Sequence, residues 1–220
     1  MKENIFLIMV IKMVIDINFR FSPMYNSLWI DWVKIYEKKI ESHKNLEDIK
    51  SYKKEFNIPD KMNLYLSKIR LWWKEEGTFI LKEMMAVTGL EWHFTQLNCY
   101  IITENKGFSD PLTIPYINDK DEFIDQLTHE LIHILISNNE EKVKPITEYI
   151  FKKYKDEEII TQYHIWLYAI HSYVLLKIYG EKRLNAHFNN LFDPPCRRAL
   201  DLVQEEGYEK ILTEFKELII

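Results

Sequence analysis

The chain has 220 residues, of which 47% are hydrophobic and 14% aromatic, enough apolar side chains for one compact domain with a substantial core. Its formal net charge is −5 and its lysines alternate with glutamates, so no nucleic-acid partner is expected. Two cysteines, Cys99 and Cys196, lie far apart without a C-x-x-C spacing. We therefore expect reduced thiols in a cytoplasmic protein, and neither a disulfide framework nor a cysteine metal site.

The N-terminal segment is apolar over residues 5–11, but a lysine interrupts it and no cleavage site of small residues follows. This run is shorter than the about 20 apolar residues of a membrane span, so no span is expected. A signal anchor is the alternative. Met9 and Met13 are also possible starts, so residues 1–12 are expected to be disordered or to precede the true start. Alternation of apolar and polar residues over 13–21 predicts a strand.

Four helices are predicted in the next part of the chain, with bounds near 26–40, 45–56, 60–76 and 79–87. Asn26 or Ser27 is expected to cap the first of them. Gly77 is expected to separate the last two, and Gly89 to cap the end of the fourth. Their aromatic residues recur at helical spacing, which favours packing in the core over a cofactor site.

After residue 96 the sequence changes from a helical pattern of apolar residues to one typical of strands. Residues 97–103 and 112–117 are rich in strand-forming residues, and the Asn105-Lys106-Gly107 segment between them is typical of a turn. We therefore predict an antiparallel hairpin that leads into the next helix. Pro111 and Pro115 cannot donate ladder hydrogen bonds, so the second strand is expected at or near an edge of the sheet. An extended peptide can add itself to such an edge.

A helix with two different faces is predicted over residues 118–137, capped by Asn118 or Asp119. One face is a broad apolar stripe formed by Phe123, Ile124, Leu127, Leu131, Ile134 and Leu135. The polar face carries Gln126, His129, Glu130, His133 and Ser137. A buried helix with one polar face is what a metal-binding helix needs.

This polar face contains the motif H-E-x-x-H, beginning at His129. Residues four apart lie one above the other on a helix, so His129 and His133 can present two ring nitrogens to one metal ion. With a third protein ligand, Zn²⁺ keeps an open position for water, and Glu130 has the role of general base. The alternative is a surface helix with two incidental histidines, which the apolar stripe disfavours.

Four more helices are predicted downstream, near 143–154, 159–179, 196–206 and 208–219. Gly180 is expected to end the second of these, which is long and apolar. Residues 183–192 are expected to be irregular, and Pro194-Pro195 to break the chain. No internal repeat or long linker divides the sequence.

The third metal ligand is expected on the long apolar helix. His164, Tyr168 and His171 share one of its faces at i, i+4 and i+7, and each buried polar group needs a partner. His164 is the favoured ligand, giving a His₃ site. Glu148 on the preceding helix is the alternative, giving a His-His-Glu site. Either Tyr168 or His171 is then a candidate to steady an oxyanion, with Tyr168 taken as the catalytic residue, and either is equally a candidate support for a ligand.

This order of elements resembles the zincin class of zinc metallopeptidases, and is nearer to the compact gluzincins than to the metzincins. The segment from Thr88 to His133, followed by the helix of His164, is also similar to small uncharacterised archaeal proteins with the same motif. The similarity covers residues 70–215. The third histidine of the metzincin pattern would fall at Asn139 and is absent.

By position, the resemblance implies that His129 and His133 are zinc ligands and that Glu130 is the catalytic base. The glutamate helix of typical gluzincins has no clear counterpart, because Lys152 stands four residues after Glu148. The resemblance implies a single zincin-like domain.

The expected fold is α+β and mostly helical, with a small antiparallel sheet whose edge hairpin packs on the metal helix. The expected function is a zinc-dependent hydrolase, specifically a metallopeptidase that acts on a peptide or protein. The alternative is a metal-stabilised interaction protein without turnover, whose partner binds the helices around Trp29, Trp32, Trp72 and Trp73. A metal-free helical protein is the third reading.

Overall fold

The computed structural model describes residues 15–28, 59–103, 107–189 and 193–219. The strands are β1 (Asp16–Arg20), β2 (Gln96–Ile102), β3 (Phe108–Ser109) and β4 (Leu112–Pro115). The helices are α1 (Pro59–Thr88), α2 (Lys120–Ser137), α3 (Glu140–Lys153), α4 (Ile159–Tyr179), α5 (Glu181–Asn189), α6 (Pro194–Glu206) and α7 (Tyr208–Lys216). The fold is α+β and mostly helical, as predicted. The expectations for residues 1–12, for the first helix beyond residue 28 and for the 45–56 helix lie outside the described residues.

The sheet is mixed, with strand order β1-β2-β4-β3. β2 pairs in parallel with both β1 and β4, which places Tyr100 opposite Thr113. The prediction of an antiparallel sheet, with residues 97–103 and 112–117 as its hairpin, is therefore wrong. The chain passes beyond β4, forms β3 and returns, so the antiparallel hairpin joins β3 to β4. β4 is covered by the two-residue β3 and lies one strand in from the edge.

The predicted strand after residue 13 is confirmed over its described part, β1, whose apolar side chains Ile17 and Phe19 are buried. A helical segment, residues 23–28, follows it directly. The prediction that Asn26 or Ser27 caps this helix is wrong, because the helix begins before them.

The cap of that segment is Ser22, whose hydroxyl oxygen accepts a hydrogen bond from the Tyr25 amide at 3.3 Å. The Asn26 side chain serves the sheet instead: its oxygen accepts from the Thr103 amide at 2.7 Å. Asn26 therefore ties the helical segment to the end of β2.

α1 is one helix of 30 residues, so the predicted break at Gly77 is wrong. A Cβ atom on Gly77 would lie 2.3 Å from Cε2 of Trp73, one turn earlier. The glycine is thus explained by close packing of the Trp73 ring, which is only 8% exposed, and not by a chain break. As predicted, Gly89 follows the end of the helix, with a φ of 69°.

The apolar stripe of α2 is entirely buried. α4 is the central helix: it packs against α1, α2, α5, α6 and α7, and its bounds agree with the prediction. The buried apolar side chains of the described segments form one hydrophobic core. None of the described helices is both long and apolar enough to cross a membrane.

The prediction of an irregular segment over residues 183–192 is wrong for 183–189, which belong to α5. Leu184 and Phe188 lie one turn apart and are both buried, so the helix has a narrow apolar face. Arg183 fixes its start through an ion pair with Asp125 of α2, in which Nη2 lies 2.8 Å from Oδ1. Because its apolar face has only Leu184 and Phe188, this nine-residue helix gives a weak periodic signal in the sequence.

Gly77→Ala tests the packing explanation. Helix propensity alone would stabilise the protein by about 1 kcal/mol, but crowding of the Trp73 ring costs about 1–3 kcal/mol. We expect the free energy of unfolding, measured in urea, to fall by about 1 kcal/mol. The exposed Lys82→Ala on the same helix is the control and should change it by less than about 0.5 kcal/mol. A stabilised Gly77→Ala protein would contradict the explanation.

Candidate metal centre

α2 holds the two histidines of the H-E-x-x-H motif in fixed register. Asp119 caps the helix by accepting a hydrogen bond from the Glu122 amide at 2.9 Å. The buried stripe on its opposite side prevents the helix from rotating. One turn apart, the rings of His129 and His133 have centroids separated by 5.0 Å.

α4 crosses α2 and adds His164 to this pair. The ring centroid of His164 lies 5.6 Å from that of His129 and 5.0 Å from that of His133. The three rings therefore form a nearly equilateral triangle, which we call the histidine triangle. One ring nitrogen from each lies within 4.8 Å of the other two.

The histidine triangle fits a divalent metal ion. Tetrahedral Zn–N bonds of about 2.0–2.1 Å need nitrogens about 3.4 Å apart, and small side-chain rotations close the remaining distance. His164 is already oriented: its Nδ1 lies 2.8 Å from the Ile160 carbonyl oxygen, which can only accept, so Nδ1 carries the proton. Its Nε2 lone pair is left for a cation.

All three imidazoles are uncharged at neutral pH. Burial, followed by the nearness of His133, holds the pKa of His129 well below its usual value. Burial and His164 lower the pKa of His133 to about 4, and burial lowers the pKa of His164. Neutral imidazole is the form that binds metal, so no proton must be displaced from these rings near pH 7.

Glu130 lies beside the histidine triangle and is only 5% exposed. Burial raises its pKa to about 7 in the metal-free protein, while a hydrogen bond from Gln126 opposes this shift. Gln126 Nε2 donates to Glu130 Oε1 at 2.8 Å, which leaves the second carboxylate oxygen for other partners. The sequence placed Gln126 on the polar face but did not show that it holds Glu130.

Gly107 closes this corner of the site. A Cβ atom there would lie 2.5 Å from Gln126 Nε2 and 2.7 Å from Glu130 Oε1. The backbone before β3 therefore runs against the Gln126–Glu130 pair, with no room for a side chain. The sequence predicted Gly107 only as part of a turn.

Tyr168 lies on the other side, 1% exposed, with its ring centroid 5.5 Å from that of His129. Burial, followed by the neighbouring Cys196, raises its pKa, so the hydroxyl stays protonated at neutral pH and can donate a hydrogen bond. Cys196 forms a hydrogen bond with this tyrosine. As predicted, Cys99 and Cys196 are not joined by a disulfide.

Glu148, the alternative third ligand, is exposed on α3. Among the histidine, cysteine and acidic side chains of the described segments, only the histidine triangle forms a group that could hold a metal ion. A ligand set of three leaves coordination positions open to solvent or substrate.

A cleft of about 810 Å³ opens onto the histidine triangle. Its walls are β3 with the residues that follow β4 on one side, and Asp193 and Cys196 near the start of α6 on the other. β3 is an edge strand of the sheet, and its Phe108 is 40% exposed. The predicted combination of a sheet edge and the motif helix is present, although a different strand provides the edge.

Behind the site lies a second group of polar side chains that the sequence only partly indicated. The ring of His171 lies 6.0 Å from that of His129 and 4.5 Å from that of His187 on α5. His187 Nδ1 is 3.5 Å from Asp125 Oδ2, and Arg183 binds the same carboxylate. Burial would raise the pKa of Asp125, but the hydrogen bonds from His187 and Arg183 lower it, so the carboxylate is charged.

One sequence signal pointed to this group. Asp125 precedes His129 by one helical turn, a spacing that puts the carboxylate near the motif. Because the chain around His187 was predicted to be irregular, His187 was not recognised as the partner of Asp125.

Comparison with protein-family models, with curated proteins and with solved structures finds no match for this chain. Function is therefore inferred from the residues of the site.

Proposed function

We propose that this protein is a zinc-dependent hydrolase that cleaves peptide bonds. One observation carries the proposal: three neutral ring nitrogens converge within 4.8 Å of one another beside a buried glutamate, in an open cleft. The H-E-x-x-H spacing and the resemblance to zincins favour the same chemistry. His129, His133 and His164 are the proposed ligands.

Zn²⁺ bound there supplies Lewis acidity, which lowers the pKa of water toward about 7 and polarises a carbonyl. Glu130 accepts the proton as the water attacks the scissile carbonyl, then delivers it to the leaving amine. Gln126 keeps one carboxylate oxygen engaged, which fixes the direction of the other. The Tyr168 hydroxyl, held protonated by burial, donates a hydrogen bond to the developing oxyanion.

The cleft supports an extended peptide as the substrate. Its volume of about 810 Å³ lies in the range of ligand pockets. The outer edge of β3 offers backbone groups to which an extended chain can add as a further strand. The proposed substrate is thus held by its backbone, with β3 as the neighbouring strand.

A metal-stabilised interaction protein without turnover would favour a closed, four-ligand site. Three ligands and an adjoining cleft support the hydrolase instead. The thiols of Cys99 and Cys196, which form no disulfide with each other, support the proposal of a reducing, cytoplasmic location.

The first prediction ranks the two candidate third ligands. His164→Ala should weaken Zn²⁺ binding at least about 100-fold, because it leaves only two ligands, whereas the exposed Glu148→Ala should change it less than about threefold. Competition against a chromogenic chelator measures both dissociation constants. The reverse ranking would give the third-ligand role to Glu148 and make this a His-His-Glu site.

The second prediction separates metal binding from turnover. Glu130→Gln removes the proton acceptor but keeps the size of the side chain, so Zn²⁺ should stay bound while kcat falls by about 10²–10⁴-fold. Cleavage of a fluorescence-quenched mixed peptide library, with metal content measured on the same sample, is the test. Unchanged turnover in the metal-loaded variant would remove Glu130 from the mechanism.

The third prediction concerns the close contact at Gly107. Gly107→Ala should displace the Gln126–Glu130 pair without touching a ligand, so kcat should fall by about 10–100-fold while the zinc dissociation constant stays within about threefold. Ser109→Ala in the same hairpin is the control for general damage to β3. Equal kcat in Gly107→Ala and Ser109→Ala would show that the position of Glu130 tolerates the change.

A further inference from the structure

We propose that His171 and His187, here called the inner histidine pair, are positioning residues that hold the ligand His129 in its metal-binding orientation. Asp125 and Arg183 anchor the pair from behind. This inference rests on the proposed function of the histidine triangle as a metal centre, and it adds a layer that the H-E-x-x-H motif does not contain.

The inner histidine pair has buried ring nitrogens that lack the hydrogen bonds buried polar groups normally make. His171 is 1% exposed, and neither of its ring nitrogens has a hydrogen-bond partner within the described part of the chain. The same holds for Nε2 of His187. Unmet polar groups in a protein interior destabilise the fold and call for an explanation.

Packing alone does not explain His171. Its neighbours along α4 are apolar, and Ile170, Val174 and Leu175 are all completely buried. A leucine would fill a similar volume with no polar atoms to satisfy. The ring contacts of His171 are with His129, Tyr168 and His187, all of which line the cleft of the proposed metal centre.

The three helices bring these groups together in register. α2 supplies both Asp125 and His129, one turn apart, and α4 supplies both His164 and His171, two turns apart. α5 supplies His187, which packs on His171. α2 thus gives two side chains to the histidine triangle and α4 gives one, and each of these helices also gives one side chain to the layer behind it.

Asp125, which Arg183 holds in place, determines which ring nitrogen of His187 faces a hydrogen-bond acceptor. A carboxylate can only accept, so Nδ1 of His187, 3.5 Å from Asp125 Oδ2, carries a proton directed at that oxygen. Arg183 holds that carboxylate through Nη2 at 2.8 Å and Nε at 3.2 Å from Oδ1.

His171 stands between this defined ring and His129. Its contact with the His129 ring, with centroids 6.0 Å apart, can therefore restrict the angle of that ring. The ligand nitrogen of His129 then stays directed at the centre of the histidine triangle.

The test compares His171→Leu, His171→Gln and the unaltered chain, each full length. We expect the metal-free His171→Leu protein to melt about 2–4 °C higher, because an unmet polar group is removed. Its Zn²⁺ affinity should be about 10–100-fold weaker. The visible absorption of bound Co²⁺ should also change, since His129 is less constrained. His171→Gln keeps a polar side chain and should recover part of the affinity.

Ser172→Ala is the matched control. Ser172 is the next residue on α4, is also 1% exposed, and its hydroxyl also lacks a hydrogen-bond partner in the described structure. It makes no ring contact with the site, so Ser172→Ala should leave Zn²⁺ affinity and the Co²⁺ spectrum unchanged.

His187→Leu provides a second route should His171→Leu fail to fold. It should weaken Zn²⁺ binding less than His171→Leu does. In the double variant the fold-loss of Zn²⁺ affinity should be smaller than the product of the two single losses, because His187 acts on His129 through His171. Full Zn²⁺ affinity in His171→Leu or, if that variant does not fold, in His187→Leu overturns the positioning role and leaves the proposed function intact. If the unaltered chain binds neither Zn²⁺ nor Co²⁺, the proposed function fails first and the positioning role fails with it.

Discussion

The burial of polar side chains between α2 and α4 is the constraint on which the rest of the site depends. Removing these groups from water disfavours their charged forms, and the effect has opposite consequences for the two kinds of residue. The histidines lose their protons and become competent ligands, while the pKa of Glu130 rises to about 7. A single physical cause thus sets the protonation of both the proposed ligands and the proposed base.

A divalent cation would change the charge of this site and with it the pKa of Glu130. The metal-free site contains three neutral rings. The carboxylate of Glu130 lies at the edge of the site, against Gln126 and Gly107. The double charge of the ion favours the ionised form of Glu130 and therefore lowers the pKa that burial has raised. The ion would affect the Asp125–Arg183 pair less, because these two opposite charges already neutralise each other at a distance of 2.8 Å.

The motif helix and the long apolar helix could be predicted from the sequence because their signals are local. The 3.6-residue period of α2, the cap at Asp119 and the stop at Gly180 lie within a few residues of what they control. His164 could be singled out because a polar face in an apolar helix is unusual. Its convergence with His129 follows from the packing of the two helices.

What the sequence did not predict depends on contacts between distant residues. Strand direction is one example: residues 97–103 and 112–117 have a strand pattern whichever way they pair, and only the passage of the chain beyond β4 makes them parallel. Gly77 is another, since the same residue that ends helices also admits a neighbouring tryptophan ring. His187 was missed because α5 is short and has only two buried apolar side chains to mark its period.

The mixed sheet has a consequence for the order in which the protein assembles. β1 pairs with β2 across a long stretch of chain, Asp16 being opposite Gln96, whereas His129 meets His164 from helices much closer in sequence. Closing a longer loop loses more chain entropy, and non-local strand pairing is slow. The histidine triangle is therefore expected to form before β1 has joined the sheet. A metal ion that binds early would meet a chain whose proposed ligands are already in place while the sheet is still incomplete.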